Sequence, residues 1–143
     1  MIGLGNPVAG DDGVGFAVVE ALRGRMGPSV ALLRCADPAQ LVDWLGDGVP
    51  TVLVDAVRGE PPGRVLLLGV EELAAAPALV SSHGVGVAEA LALAGVLWGA
   101  LPPLWVVGVT VSGGLRMGSG LSPEVVVAVD VAIKKVTEIV NNL

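Results

Sequence analysis

The chain has 143 residues, 53% hydrophobic and 15% charged, with a formal net charge of -6 at pH 7. That length suits one domain spanning 1–143 rather than two ordinary ones, and a mean hydropathy of +0.78 excludes a disordered chain. The negative balance argues against a nucleic-acid partner, because such a field repels phosphate backbones.

Ile2 to Leu4 reads as the end of a short first strand, without the basic segment and apolar run of a secretory leader. Gly5-Asn6-Pro7 is turn chemistry, and a glycine-rich loop is expected to run to Gly15. A helix should follow, with Phe16, Val19, Ala21, Leu22 and Met26 as its apolar positions, until Gly27-Pro28 ends it. Val30 to Leu33 reads as the second strand. Cys35, just beyond it, is the single cysteine; no intrachain disulfide can form, which suits a reducing cytoplasm. Asp37-Pro38 is expected to open a short helix with Asp37 as N-cap and Leu41, Val42 and Leu45 inside.

Thr51 to Val54 is a short apolar run of the kind found in central parallel strands, and it is expected to end in Asp55. Arg58 to Gly63, with its Pro-Pro-Gly, reads as a turn, Val65 to Val70 as a strand and Glu71 to Ala76 as a short helical piece. Ser81-Ser82-His83-Gly84 precedes an apolar helix, roughly Val85 to Gly99, whose only charge is Glu89; it is expected to be buried on most sides or to form an interface. From Ala90 to Val109 no residue is charged, about the length of a membrane span, but Pro102-Pro103 divides the stretch and no Lys/Arg cluster flanks it. It reads as a buried helix, a turn and a last strand, Leu104 to Val109, so no membrane is expected.

Gly113 to Gly120 reads as a flexible loop. Ser122 should N-cap the final helix, with Pro123 at its first position and Glu124 in its first turn. That helix is rich in Val, which favours strands, but Val125, Val129, Ala132, Ile133, Val136 and Val140 recur at helical spacing while Asp130, Lys134, Lys135 and Glu138 face away. Strands alternating with helices imply an α/β fold: a mostly parallel sheet covered on both faces.

In open α/β sheets, sites form outside the carboxyl ends of the strands. Three polar positions map to that edge: Asp12 after the first strand, Asp55 at the end of the central one, and His83, the only histidine, before the long helix. Two carboxylates and an imidazole can bind a first-row transition metal and leave positions open for substrate, whereas a closed structural zinc site needs four protein ligands. Each residue also has a plainer role. Asp11 or Asp12 could cap the first helix, Asp55 could be a turn residue, and His83 a satisfied, partly buried histidine. The glycine loop is neither G-x-G-x-x-G nor a Walker loop, and no G-x-S-x-G elbow occurs. Cys35 with His83 could form a thiol dyad, against the plainer reading of a buried structural cysteine.

Gly3-Leu4-Gly5-Asn6-Pro7, Gly10-Asp11-Asp12-Gly13-Val14-Gly15, Val54-Asp55-Ala56-Val57 and Ser82-His83-Gly84 together resemble the maturation endopeptidases of nickel-iron hydrogenases. Pro62-Gly63 and Gly120-Leu121-Ser122-Pro123-Glu124-Val125 extend the resemblance over essentially the whole chain. It implies a three-layer α/β/α fold with a mostly parallel, twisted, five-stranded sheet. It also implies removal of a C-terminal extension from the hydrogenase large-subunit precursor after nickel insertion, by a monomeric cytoplasmic peptidase. In that family Asp12, Asp55 and His83 match the metal-contacting positions, and the nickel is expected to arrive with the precursor. No separate nucleophile is identified. Two departures stand out. The family usually carries several more apolar residues before the first glycine, so the N-terminus looks clipped; and Val109-Thr110 stands where an acidic residue often follows the last strand. The competing functions are a metal-binding chaperone or docking module using the same three residues, and a peptidyl-tRNA hydrolase, which shares the Gly-Leu-Gly-Asn-Pro start. The latter needs a histidine-asparagine pair near its first loop and a basic face, and this chain has neither.

Overall fold

The computed structural model describes residues 1–75, 86–113, 118 and 120–143. His83, the start expected for the long helix and most of the Gly113–Gly120 loop lie outside the described residues. Five strands, β1 (Ile2–Leu4), β2 (Leu33–Cys35), β3 (Thr51–Arg58), β4 (Val65–Leu68) and β5 (Leu104–Val111), form one sheet in the order β2-β1-β3-β5-β4. The first four in that order run parallel, and β4 joins the β5 edge antiparallel. The helices are α1 (Val14–Leu22), α2 (Gln40–Trp44), α3 (Val70–Ala75), α4 (Val87–Trp98) and α5 (Pro123–Asn141).

The two faces of the sheet carry separate cores, as alternation along a strand requires. Val52, Val54, Val107 and Val109 pack with Val14, Val18 and Leu22 of α1 and with Val125, Ala128, Ala132, Ile133 and Val136 of α5. Ile2, Leu4, Leu53 and Val106 face the other way, onto Leu41, Leu45, Leu73, Ala90, Leu91 and Ala94 of the α2–α4 side. The fold is therefore the three-layer α/β/α sandwich expected, with a mostly parallel five-stranded sheet. Leu53 is 0% exposed at the centre of the second core. Leu53→Ala should cost about 3 kcal/mol and lower the melting temperature by roughly 10 °C, a loss that thermal denaturation followed by circular dichroism measures directly.

Several boundaries differ from the sequence expectation, each for a tertiary reason. The second strand is Leu33–Cys35 instead of Val30–Leu33. Among the described residues its only partner is the three-residue β1, and the register Ile2↔Leu33, Gly3↔Arg34, Leu4↔Cys35 decides which residues become strand. The first helix ends at Leu22, well before Gly27-Pro28, with Gly24 at φ +73° turning the chain away. The glycine-rich segment is not loop throughout: Gly10–Gly13 forms a 3-10 turn that leads straight into α1. α2 starts at Gln40 with Ala39 as its N-cap, so Asp37 does not cap it as expected; its carboxylate accepts the Ala39 N–H at 3.0 Å in the turn just before the helix. β3 does not stop at Asp55 but runs to Arg58, because β5 offers an equally long partner in register. Thr110 lies within β5, not after it. Its hydroxyl donates to the Pro61 carbonyl and accepts from the Arg64 N–H, both at 2.8 Å, pinning the 61–64 turn.

α4 is not buried on most sides. Val87, Ala90, Leu91 and Ala94 face the core, while Leu93, Val96, Leu97 and Trp98 are exposed, Val96 by 81%. Among the described residues no helix is long and apolar enough to cross a membrane.

Candidate functional site

The chain steps from β1 outward to β2 and then returns to β3 on the other side of β1, so a topological switch point lies at the carboxyl ends of β1 and β3. A crevice forms at such a point because the two connections leave in opposite directions. Asp12 and Asp55 flank it. Asp12 sits in the 3-10 turn after β1. In β3 the last residue paired with β1 is Val54, so Asp55 is the first beyond that edge although its other neighbour, Gly108 of β5, is still in register. A residue inside one strand pair and past the end of another projects from the sheet rim on rigid backbone.

The local chain builds Asp12 tightly. Gly5 has φ +132°, and a Cβ there would strike the Asp12 carbonyl oxygen. This close approach lets the Asn6 N–H donate both to that carbonyl at 3.3 Å and to Asp12 Oδ2 at 3.1 Å. The Asn6 side chain is occupied in its own turn, its Oδ1 accepting the Val8 N–H at 3.1 Å.

Asp55 Oδ1 accepts the neighbouring Ala56 N–H at 2.8 Å. Burial pushes the Asp55 carboxyl up to about 7, the negative charge of Asp12 adds to the rise, and the Ala56 N–H works against it. The side chain keeps some contact with solvent, of intermediate exposure at the rim, so its desolvation is incomplete. Two acidic groups thus share a site in which ionising both is costly. That arrangement favours a proton or a cation between them. Among the described residues no group of three His, Cys, Asp or Glu is placed to hold a metal ion; the third expected position, His83, lies outside them.

The structure separates Asp11 from Asp12, which capping logic could not. Neither caps α1, whose N-cap is Gly13 without a side-chain hydrogen bond. Asp11 reaches across to Ser122: the Ser122 N–H donates to Oδ1 at 2.6 Å and its hydroxyl to Oδ2 at 2.9 Å. Ser122 is at the N-cap position of α5 as expected, but its hydroxyl serves Asp11 instead of its own helix. Gly10, Asp11, Pro62, Ser112, Ser122 and Glu124 line part of a cleft of about 480 Å³ beside the turn. The Asp11–Ser122 link escaped sequence reasoning, since its ends are 111 residues apart.

Cys35 is 0% exposed, its thiol donates to the Asp37 carbonyl at 3.0 Å, and burial pushes it up to about 11. Buried and with its thiol pushed above its ordinary range, Cys35 fits the plainer reading of a structural core residue.

The model of the hydrogenase maturation protease family (HycI) matches residues 17–139, a span that includes Asp55 and His83 and begins after Asp12. Among solved structures, the hydrogenase maturating endopeptidase HybD from E. coli is 27% identical, with a TM-score of 0.73 over 99% of this chain and 90% of that one. The solution structure of an endopeptidase from Escherichia coli is 28% identical, with a TM-score of 0.72 over 94% and 86%. The HycI [NiFe] hydrogenase maturation protease from Thermococcus kodakarensis KOD1, at 22% identity and a TM-score of 0.76 over 98% and 90%, shares the fold. No curated protein sequence matches the chain. The family match takes the place of the peptidyl-tRNA hydrolase alternative. A sandwich of this topology, with two acidic side chains at its switch point and a family model covering most of its length, belongs to the hydrogenase maturation protease family, whose members are peptidases.

Proposed function

We propose that the protein is the endopeptidase that removes the C-terminal extension of a nickel-iron hydrogenase large-subunit precursor after nickel insertion, and that it recognises the bound nickel. The observation that carries the reading is the pairing of Asp55, a carboxyl pushed up to about 7, with Asp12 across the switch point. Such a pair gains most from an arriving cation, because the cation relieves both the burial and the mutual repulsion. Asp12, Asp55 and His83 would complete the coordination of nickel brought by the precursor, so a nickel-free precursor lacks its anchor. Nickel is substrate here, not a resident cofactor.

Asp12, Asp55 and His83 would hold the metal, which would supply Lewis-acid character there or serve only to position the peptide. The protein supplies position: β3 backbone fixes Asp55, the Asn6 N–H fixes Asp12, and the adjacent cleft gives the extension room to lie against the turn. The test compares nickel-loaded and nickel-free precursor, read by loss of mass, with wild type, Asp12→Asn, Asp55→Asn and His83→Ala. Wild type should cut only the loaded form, and each variant should be slower by about a hundredfold or more. Equal cutting of both precursors, or full activity in all three variants, would overturn the reading. Binding of loaded precursor without any loss of mass would point to a docking module instead.

A further inference from the structure

We infer that Asp11, with Ser122, is a positioning residue that aims Asp12. The inference rests on the reading that Asp12 belongs to the cleavage site. The turn carrying both aspartates is a single four-residue 3-10 segment, Gly10–Gly13. Hydrogen-bond geometry in such turns is poor, and isolated ones hold their direction weakly. Adjacent side chains on a 3-10 turn diverge by about a third of a revolution, so when one is clamped, the direction of the other is set. Asp11 is the clamped one. It takes two hydrogen bonds from Ser122, and both are strengthened by the charge on the carboxylate. Asp12 is its neighbour on the turn, with its carboxylate and carbonyl both held by the Asn6 N–H.

A second, independent contact joins the same two parts of the chain: the Gly118 N–H donates to the Val8 carbonyl at 2.7 Å. The segment after β1 and the segment before α5 are therefore stitched at two points. Among the described residues α5 is the longest helix, and its buried face, Val125 to Val136, is seated on the sheet. Ser122 is thus a fixed post and Asp11 the arm that leans on it. Pro123 at the first helical position offers no N–H, and the carboxylate takes both the N–H and the hydroxyl of Ser122. Were Asp11 only an anchor for α5, loosening it would lower stability and leave Asp12 alone. As a positioning residue it controls the bonds that Asn6 makes to Asp12.

The experiment uses Ser122→Ala, which deletes one bond and keeps the other, and Asp11→Asn, which keeps shape and removes charge. Hydrogen exchange at the Asn6 amide reports the Asp12 geometry without any substrate. It should speed up by about tenfold in each variant, while amides of β3 and β5 keep their protection. For nickel-loaded precursor, kcat should fall about tenfold with KM nearly unchanged, and the double variant should be no slower than the worse single one. Ser122→Thr, which restores the hydroxyl, should restore both readouts. Unchanged Asn6 protection in Ser122→Ala, or wild-type kcat alongside a lowered melting temperature, would overturn the inference; Ser122→Ala decides it should Asp11→Asn fail to fold. A wild-type enzyme that leaves loaded precursor uncut would count against the functional reading, while Asn6 exchange still decides the role of Asp11.

Discussion

Asp55→Asn is expected to slow cleavage of nickel-loaded precursor by about a hundredfold or more while making the free protein more stable at neutral pH and above. The two effects have one cause. The carboxyl of Asp55 is pushed up to about 7, first by burial and then by the charge of Asp12. In the unfolded chain the same group titrates near 4. Between about pH 4 and 7 the folded protein therefore holds a proton that the unfolded chain has lost, and stability declines as pH rises through that window. Below it both states are protonated; above it both are ionised and the folded state carries the whole cost.

Asparagine keeps the acceptor for the Ala56 N–H and cannot ionise, so it removes the cost. Its stabilising effect should be near zero at pH 4 and rise to on the order of 3 kcal/mol by pH 8, with the solvent contact of the side chain reducing it further. Denaturant titrations of wild type and Asp55→Asn at pH 4, 6 and 8 measure the difference. A constant difference across that range would remove the argument for a strained carboxylate. On the proposed reading the functional loss follows from the same substitution, since a neutral amide at the rim would no longer offer an arriving cation a negative charge.

Gly15→Val is expected to prevent the native fold from forming. Gly15 lies in the first turn of α1, and a Cβ there would strike the Leu4 carbonyl oxygen and stand 2.5 Å from the Val54 carbonyl oxygen. Both atoms are strand backbone, held in the ladder that pairs β1 with β2 and β3, so neither yields as a flexible side chain would. The helix must lift, which draws Val14, Val18 and Leu22 away from Val52 and Val54 across one of the two cores. Overpacking of this kind costs about 3 kcal/mol or more, a large share of the total stability of a domain. Because the 3-10 turn bearing Asp12 runs directly into α1, whatever folded protein remained would also have its site displaced. Gly27→Ala is the control: nothing lies within 4 Å of a Cβ there, and stability should change by less than about 0.5 kcal/mol. A Gly15→Val protein with a wild-type melting temperature would contradict the close packing of α1 on the sheet.

Periodicity carried the final helix. Valine after valine from Val125 onward has strand propensity, yet Val125, Ala132, Ile133 and Val136 are buried and Asp130 and Lys134 are exposed, as helical spacing requires. The inward face of α2 and of the 3-10 turn that follows it was equally legible in Leu41 and Leu45. Asp12 and Asp55 could be placed on one edge because an alternation of strands and helices leaves few alternatives for where strand ends point. What stayed hidden was everything that depends on a distant partner. β2 is where β1 can reach it, β3 runs past Asp55 because β5 does, and β4 turns antiparallel only against β5.

The sequence by itself determined the order of the elements, which face of each turns inward, and that two acidic residues follow the glycine turn while a third sits at a central strand. These are properties of near neighbours, set by side-chain period, turn chemistry and the need to bury Val and Leu. The family resemblance singles out Asp12, but only the tertiary structure decided what each of the two adjacent aspartates touches. Asp11 goes to Ser122 and Asp12 to the switch point, because the β2-β1-β3-β5-β4 order and the seating of α5 bring residues 111 positions apart within hydrogen-bond reach. A local pattern cannot encode that choice; it is made when two cores pack on opposite faces of one sheet and fix where the loops at its rim must meet.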